Sequence, residues 1–320
     1  MKAYVLDSLH QWPVLSEVPM PKADANQVAL KIKASALNHR DLWITKGQYA
    51  GIKLGVIMGS DACGVLDDSE YIIYPGLDWG DLESHQSPQF RVLGMPDDGT
   101  FAEYIAIDSR YLFPKPIHLS SEQAAALPLA GLTAYRALFS KADVKASDKV
   151  LITGIGGGVA LMALQMSLAL GCVTFVTSGS DLKIAEAISL GATAGYSYLD
   201  SDWHHKIIAD SKGIDVVIDG ACGTGFDNLV KVCSPGGRIV FYGATAGKIE
   251  GLNPQTIFWK QISILGTTMG SAQDFGAMVD FVATHQVYPV VDRIFPFEEL
   301  HEGFARMESG LQFGKIVFRH

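Results

Sequence analysis

Residues 149–171 read KVLITGIGGGVALMALQMSLALG, and this stretch decides the fold. Val150 to Thr153 form a short buried-type run, Gly154 ends it, and an apolar segment of helical length continues to Leu170. Gly157 and Gly158 lack the side chains that would hold backbone N–H groups away from an anion. The succession therefore seats a nucleotide pyrophosphate on a helix N-terminus. Ala160 is small where helix and strand must pack closely. A glycine turn alone is a common structural device; between a buried strand and an apolar helix it points to a dinucleotide.

Working outward, strand and helix patterns alternate through CVTFVTS, DLKIAEAISLG, GYSY, the segment after Asp202, DVVIDG, Phe226–Val232, RIVFYG and ISILGTT. Such alternation specifies a parallel sheet covered by helices on both faces. Before it lie short alternating strands: MKAYVLD, QVALKIKASALN, GVIMGSDACGVL, EYIIYPG and TFAEYIAID. These predict an all-β, barrel-like domain. The polar segment from Pro75 to Gly99 reads as a surface excursion or lid-like loop. SSEQAAALPLAGLTAYRALFSKADV, with an N-cap and Pro128, marks the domain crossing. After Gly266 two amphipathic helices and the strand GKIVFRH return to the first domain. The expected division is 1–128 with 263–320, and 129–262.

The chain has 320 residues, enough for two cores. A net charge of −9, without a basic cluster interleaved with aromatics, argues against nucleic acid and for a small-molecule substrate. No apolar run of about 18 residues occurs, as a membrane span would need. MKAYVLDSLHQWP lacks the greasy segment of a secretory signal, so the expected location is cytoplasmic. Cys63, Cys172, Cys222 and Cys233 are scattered, without a C-x-x-C pair, and read as reduced, mostly buried thiols.

ALNHRDLW (36–43), MGSDACGVL (58–66), GTFAEYI (99–105), LAGLTAYRAL (129–138), the glycine turn and FPFEELHEGFARMESGLQFGKIVF (295–318) follow one another in an order that resembles the medium-chain dehydrogenase/reductases. The resemblance implies an α/β fold: a doubly wound Rossmann sheet inserted into a chaperonin-10-like catalytic β-barrel, with the active site in the cleft between them. Zinc-dependent alcohol dehydrogenases of that family hold catalytic metal with Cys, His and Cys. At the matching positions stand Asn38, Ser60 and, approximately, Leu129, which cannot make the N/S site zinc requires. No metal is expected. The chain thus resembles the zinc-free branch that includes NADPH:quinone reductases and enone reductases. An edge-to-edge homodimer through ISILGTT is expected by the same resemblance.

NAD-selective Rossmann domains end their second strand in Asp or Glu. Here CVTFVT runs into Ser178, and Asp181 opens the next helix instead. Lys183 lies one turn on, and Tyr198 occurs where quinone reductases place a tyrosine against the adenosine phosphate. Together these predict NADPH. The turn residues Gly154, Gly157, Gly158 and Val159 complete the expected cofactor set with Phe241, Tyr242 and Gly243 at a strand end, and with Asn38, Thr133, Thr268 and Lys315 carried over from the resemblance.

Reduction of a carbonyl or enone places negative charge on oxygen, so a donor is needed there. Asn38, Tyr49 and His39 are the candidates. Asp41 reads as a brace for its loop. Trp43, Tyr49 and Trp79 suggest an apolar or planar substrate. The expected function is reduction of a quinone, enone or aldehyde by direct hydride transfer without zinc. The alternatives are a non-catalytic NADPH-binding or scaffold protein and an alcohol dehydrogenase with an unrecognised zinc site.

Overall fold

Six parallel strands flank the glycine turn in the spatial order Ala194–Ser197, Val173–Ser178, Lys149–Ile152, Ile214–Asp219, Cys233–Phe241 and Ser263–Gly266. Leu151 lies opposite Phe175 on one side and Val217 on the other. The central strands are buried on both faces, which is why they read as nearly continuous apolar runs. In chain order the sheet runs 3-2-1-4-5-6, with its reversal beside Lys149–Ile152. This is the doubly wound Rossmann arrangement, whose ligands collect at the carboxyl ends of the strands next to the reversal.

This computed structural model describes residues 1–320 and divides into two compact units: Met1–Leu132 with Gly270–His320, and Thr133–Met269. The second holds the parallel sheet. The first is built on a curved antiparallel sheet centred on Gln27–Ala36, which pairs with Asp61–Leu66, Tyr104–Asp108 and the final strand Lys315–Arg319. The tail therefore returns to this unit, where Val317 faces Ala36. Its core gathers Leu37, Met58, Phe101, Phe304 and Phe318, all essentially inaccessible. Apolar side chains converge there from segments more than 200 residues apart, and each fully buried one contributes about 1.5–3 kcal/mol.

The 75–99 segment departs from the lid-like loop expected of its composition. Gly76–Leu77, Arg91–Leu93 and Pro96–Asp97 form a small three-stranded sheet. Trp79 belongs to its packing rather than to a substrate surface. It is 5% exposed, meets Phe90 edge to face at 5.2 Å, and donates its indole N–H to the Leu82 carbonyl. Strands of two or three residues are too short to announce themselves by alternation. The helix Pro254–Lys260, N-capped by Asn253, also escaped periodicity, because it buries no residue.

At the crossing, Ser120 caps a short helix, Ser121–Ala125, and Pro128 starts the next, Pro128–Tyr135. Proline suits a first turn, where its missing N–H costs nothing. No helix is long and apolar enough to cross a membrane.

Candidate active site

In the barrel unit, the strand Gln27–Ala36 delivers Asn38 to the N-cap of the helix His39–Thr45. The Asn38 backbone N–H donates to Asp41 Oδ2 at 2.8 Å, which makes Asp41 the brace that its position suggested. The Asn38 side chain sits in a buried polar cluster. Its Oδ1 accepts from Lys315 Nζ at 2.5 Å, and its Nδ2 donates to Asp61 Oδ2 at 2.9 Å. Lys315 Nζ also donates to Asp61 Oδ2 at 2.9 Å, and the Leu129 backbone N–H donates to Asp61 Oδ1. An ammonium can only donate, so it fixes which way the amide faces. One Nδ2 proton goes to Asp61; the second is not spent within the cluster.

A second network joins the first through this helix. Arg40, 7% exposed, donates from Nη1 to Ser60 Oγ at 2.7 Å and to the Leu93 carbonyl at 2.8 Å, and from Nη2 toward the Met95 carbonyl at 3.4 Å. Its Nε donates to the Tyr49 phenol oxygen at 3.3 Å, with Cζ 4.9 Å from the ring centroid. The carbonyls reach Arg40 because backbone packs on backbone here. A Cβ on Gly94 would lie 2.4 Å from the Gly59 carbonyl oxygen, and one on Gly99 at 2.0 Å. Asp41 is fully buried, and its Oδ1 has no hydrogen-bond partner. Burial pushes its carboxyl up to about 6, against the pull of Arg40. His39 is exposed at the start of the helix, its ring 6.3 Å from that of Trp43.

The three positions that zinc-dependent relatives use as ligands thus lie in this region, but their donor chemistry does not fit zinc. Asn38 is taken by Lys315 and Asp61, Ser60 by a guanidinium, and Leu129 contributes only a backbone N–H. No group of three or more His, Cys, Asp or Glu side chains converges anywhere. Two fixed organic cations stand beside positions that hold a divalent ion in such enzymes. Placing a divalent cation against both would add like-charge repulsion to the missing thiolate and imidazole ligands.

In the Rossmann unit, Gly157 is the N-cap of the helix Gly158–Leu170, with no side-chain acceptor there, and Val159 is its second residue. A Cβ at Gly154 or Gly157 would meet nothing within 4 Å, so open space faces the helix N-terminus, as a pyrophosphate requires. Gly156, which sequence reading passed over, is the critical turn residue. Its φ of +120° suits only glycine, and a Cβ there would lie 2.7 Å from Lys183 Cδ. The Lys183 side chain therefore lies along the glycine turn. Ser178, buried at the end of its strand, approaches the Ile155 carbonyl with its Oγ at 3.5 Å. Tyr198 joins them: a Cβ on Gly179 would be 2.8 Å from its phenol oxygen. Ser180, not Asp181, caps the following helix, and Asp181 is exposed in its first turn.

The other strand ends supply a floor. Thr153 Oγ1 donates to Asp219 Oδ1, and the Cys222 N–H donates to Asp219 Oδ2 at 2.7 Å, tying together the two strands beside the reversal. Phe241, Tyr242 and Gly243 end the neighbouring strand. Tyr242 packs on Gly220, and the Gly243 carbonyl accepts from Cys222 Sγ at 3.1 Å. Thr268 is exposed, whereas its neighbour Thr267 donates its N–H to the Phe241 carbonyl and leaves Oγ1 buried without a partner. Thr133 is buried in the crossing helix. Lys315 lies in the barrel cluster, bonded to Asn38 and Asp61. All four cysteines are free and buried, and burial pushes Cys63 up to about 12 and Cys222 up to about 11, which disfavours their thiolate forms.

A doubly wound sheet with an anion-ready glycine turn and an antiparallel barrel together define a dehydrogenase/reductase built for a pyridine dinucleotide. Residues 24–117 match the alcohol dehydrogenase GroES-like domain, and residues 158–284 the zinc-binding dehydrogenase domain. The chain is 34% identical to the zinc-type alcohol dehydrogenase-like protein YogA of Leptosphaeria maculans, over 95% of this chain and 93% of that protein. Its fold superposes on the crystal structure of an NAD-dependent alcohol dehydrogenase with a TM-score of 0.94 at 33% identity, covering both chains fully. It superposes on the quinone oxidoreductase of Thermus thermophilus with a TM-score of 0.83 at 27% identity, again over both whole chains. The chain belongs to the medium-chain dehydrogenase/reductase superfamily and is an oxidoreductase of that family.

Proposed function

We propose that the protein is an NADPH-dependent reductase of quinones, enones or aldehydes that works without zinc. The observation that carries this reading is the donor set itself. Where a metal would polarise the substrate oxygen, the chain offers Asn38 held by Lys315 and Asp61, and a Tyr49 phenol held by Arg40. When bound, NADPH supplies the hydride. Asn38 holds its unspent Nδ2 proton in a fixed direction, as a donor that needs no reorganisation when charge develops on oxygen. His39 is exposed beside it, which supports its candidacy as the group that exchanges a proton with solvent.

NADPH rather than NADH is supported by Lys183 lying along the glycine turn and by Ser178 where an acidic residue would repel a 2′-phosphate. The Thermus quinone oxidoreductase was crystallised with NADPH, whereas the alcohol dehydrogenase of similar fold is NAD-dependent; Lys183 favours the former for this chain. The experiment is turnover of a quinone, enone and aldehyde panel with NADPH and with NADH, in wild type and Lys183→Ala. A lost charge-assisted bond, worth about 1.5–3 kcal/mol, should weaken NADPH by one to two decades and NADH little. Equal losses would remove the NADPH assignment, and dinucleotide binding without turnover would favour a scaffold role.

The cytoplasm is the proposed location, on the strength of four unpaired thiols. A homodimer is proposed through the open edge strand Ser263–Gly266, near which Phe258 and Trp259 are 65% and 81% exposed. Sedimentation analysis distinguishes it from a monomer.

A further inference from the structure

We propose that Arg40 is the positioning residue for proton delivery by Tyr49, holding the phenol oxygen with Nε so that the phenol's own proton is presented to the oxygen of the substrate. This inference rests on the reductase reading above, in which Tyr49 is already a candidate donor, and adds to it the role of Arg40.

Arg40 is a buried cation in the first turn of a helix, where the helix dipole disfavours positive charge. An apolar residue of similar volume at a buried ionic position is commonly neutral or stabilising. The chain nevertheless surrounds this guanidinium with two backbone carbonyls, a serine and a tyrosine, and sets the Asp41 carboxylate 3.9 Å away. Packing alone does not call for such an arrangement.

Its consequence follows from hydrogen-bond inventory. A guanidinium has five donors and no acceptor. Each hydroxyl it meets must therefore accept from it and direct its own proton elsewhere. Ser60 is fully buried and Tyr49 only partly so, and the proposal therefore assigns the delivered proton to Tyr49 rather than to Ser60. In the step, hydride from the reduced dinucleotide forms the new C–H bond, and the carbonyl π-pair moves onto oxygen. The phenol O–H bond breaks as the O–H bond to substrate forms. The phenolate left behind stands beside the Arg40 Nε–H and recovers its proton from water. A fixed cation at 3.3 Å stabilises that phenolate, and the same contact holds the ring in place beforehand.

The test compares Tyr49→Phe, Arg40→Met, Arg40→Lys and the Arg40→Met/Tyr49→Phe double variant. The readouts are kcat, KM, the solvent deuterium isotope effect on kcat, and NADPH binding by fluorescence. Loss of a general acid should lower kcat in Tyr49→Phe by about 100-fold or more, with NADPH affinity unchanged. Arg40→Met should also lower kcat, and the double variant should be no slower than Tyr49→Phe, because the two side chains act as one unit. The isotope effect should shrink in both single variants. Should Arg40→Met not fold, Arg40→Lys decides: it keeps the charge but not the Nε, so it must lose kcat while keeping KM and NADPH binding.

Losses that multiply in the double variant, wild-type kcat in Arg40→Lys, or wild-type kcat in Tyr49→Phe would each overturn the proposal. A wild-type protein that turns over no acceptor in the panel would instead overturn the reductase reading.

Discussion

Asp41 shows how much the barrel cluster invests in holding its charges. A carboxyl raised from 3.8 to about 6 by burial is a cost at neutral pH, on the order of 3 kcal/mol. Between those values the folded protein binds more protons at this site than the unfolded chain does. The Asp41 contribution to stability therefore improves as pH falls through 6 and worsens as it rises. Asp41→Asn keeps an oxygen to accept the Asn38 N–H but removes the titration. Urea unfolding from pH 7 to pH 4 should show wild type gaining on Asp41→Asn by about 2 kcal/mol. A difference that is flat across that range would mean Asp41 is not charged and buried as described. The bracing role of Asp41 was legible in the sequence because it falls inside the motif ALNHRDLW, whereas Asn38 in that motif and Tyr49 beyond it were read as candidates from their chemistry and the resemblance. Arg40, in the same motif, was not: its meaning lies in carbonyls 53 and 55 residues away that only backbone packing brings to it.

Elements were legible wherever they were long enough to show a period. Lys149–Ile152, Gly158–Leu170 and Ala272–Thr284 stand where apolar spacing placed them. The small sheet within 75–99 and the helix Pro254–Lys260 did not show, being short in one case and devoid of a buried face in the other. In the glycine turn, three consecutive glycines hid their separate duties. Gly156 has the left-handed backbone and makes room for Lys183, whereas Gly157 borders open space at the helix N-terminus. That division predicts different outcomes for similar changes. Gly157→Ala should alter folding stability by only about 1 kcal/mol, the ordinary difference at an N-cap, while the added methyl weakens NADPH binding by about tenfold or more. Thermal unfolding and fluorescence titration of this one variant check both halves, and retained NADPH affinity would mean the turn does not cradle the pyrophosphate.

On the scale of the whole molecule, the proposed function assigns cofactor binding to one unit and polarisation of the substrate to the other. The Rossmann unit provides an anion-ready turn with a lysine along it, and the barrel unit provides oriented N–H and O–H donors backed by Arg40 and Lys315. Fold class followed from alternation and from the family motifs, while the order of the strands came from the structure. Substrate identity did not, because the same scaffold serves many substrates and specificity resides in side chains that vary without disturbing it. The replacement of metal ligands by a hydrogen-bonded cluster is the property that sets this chain apart from zinc-dependent members of its family. Its most direct test is metal content measured on the same sample that is assayed for NADPH-dependent reduction, before and after chelation. Organic polarisation of the substrate oxygen predicts undiminished turnover without stoichiometric zinc. One zinc ion per chain, with activity lost on chelation and restored by zinc, would contradict it.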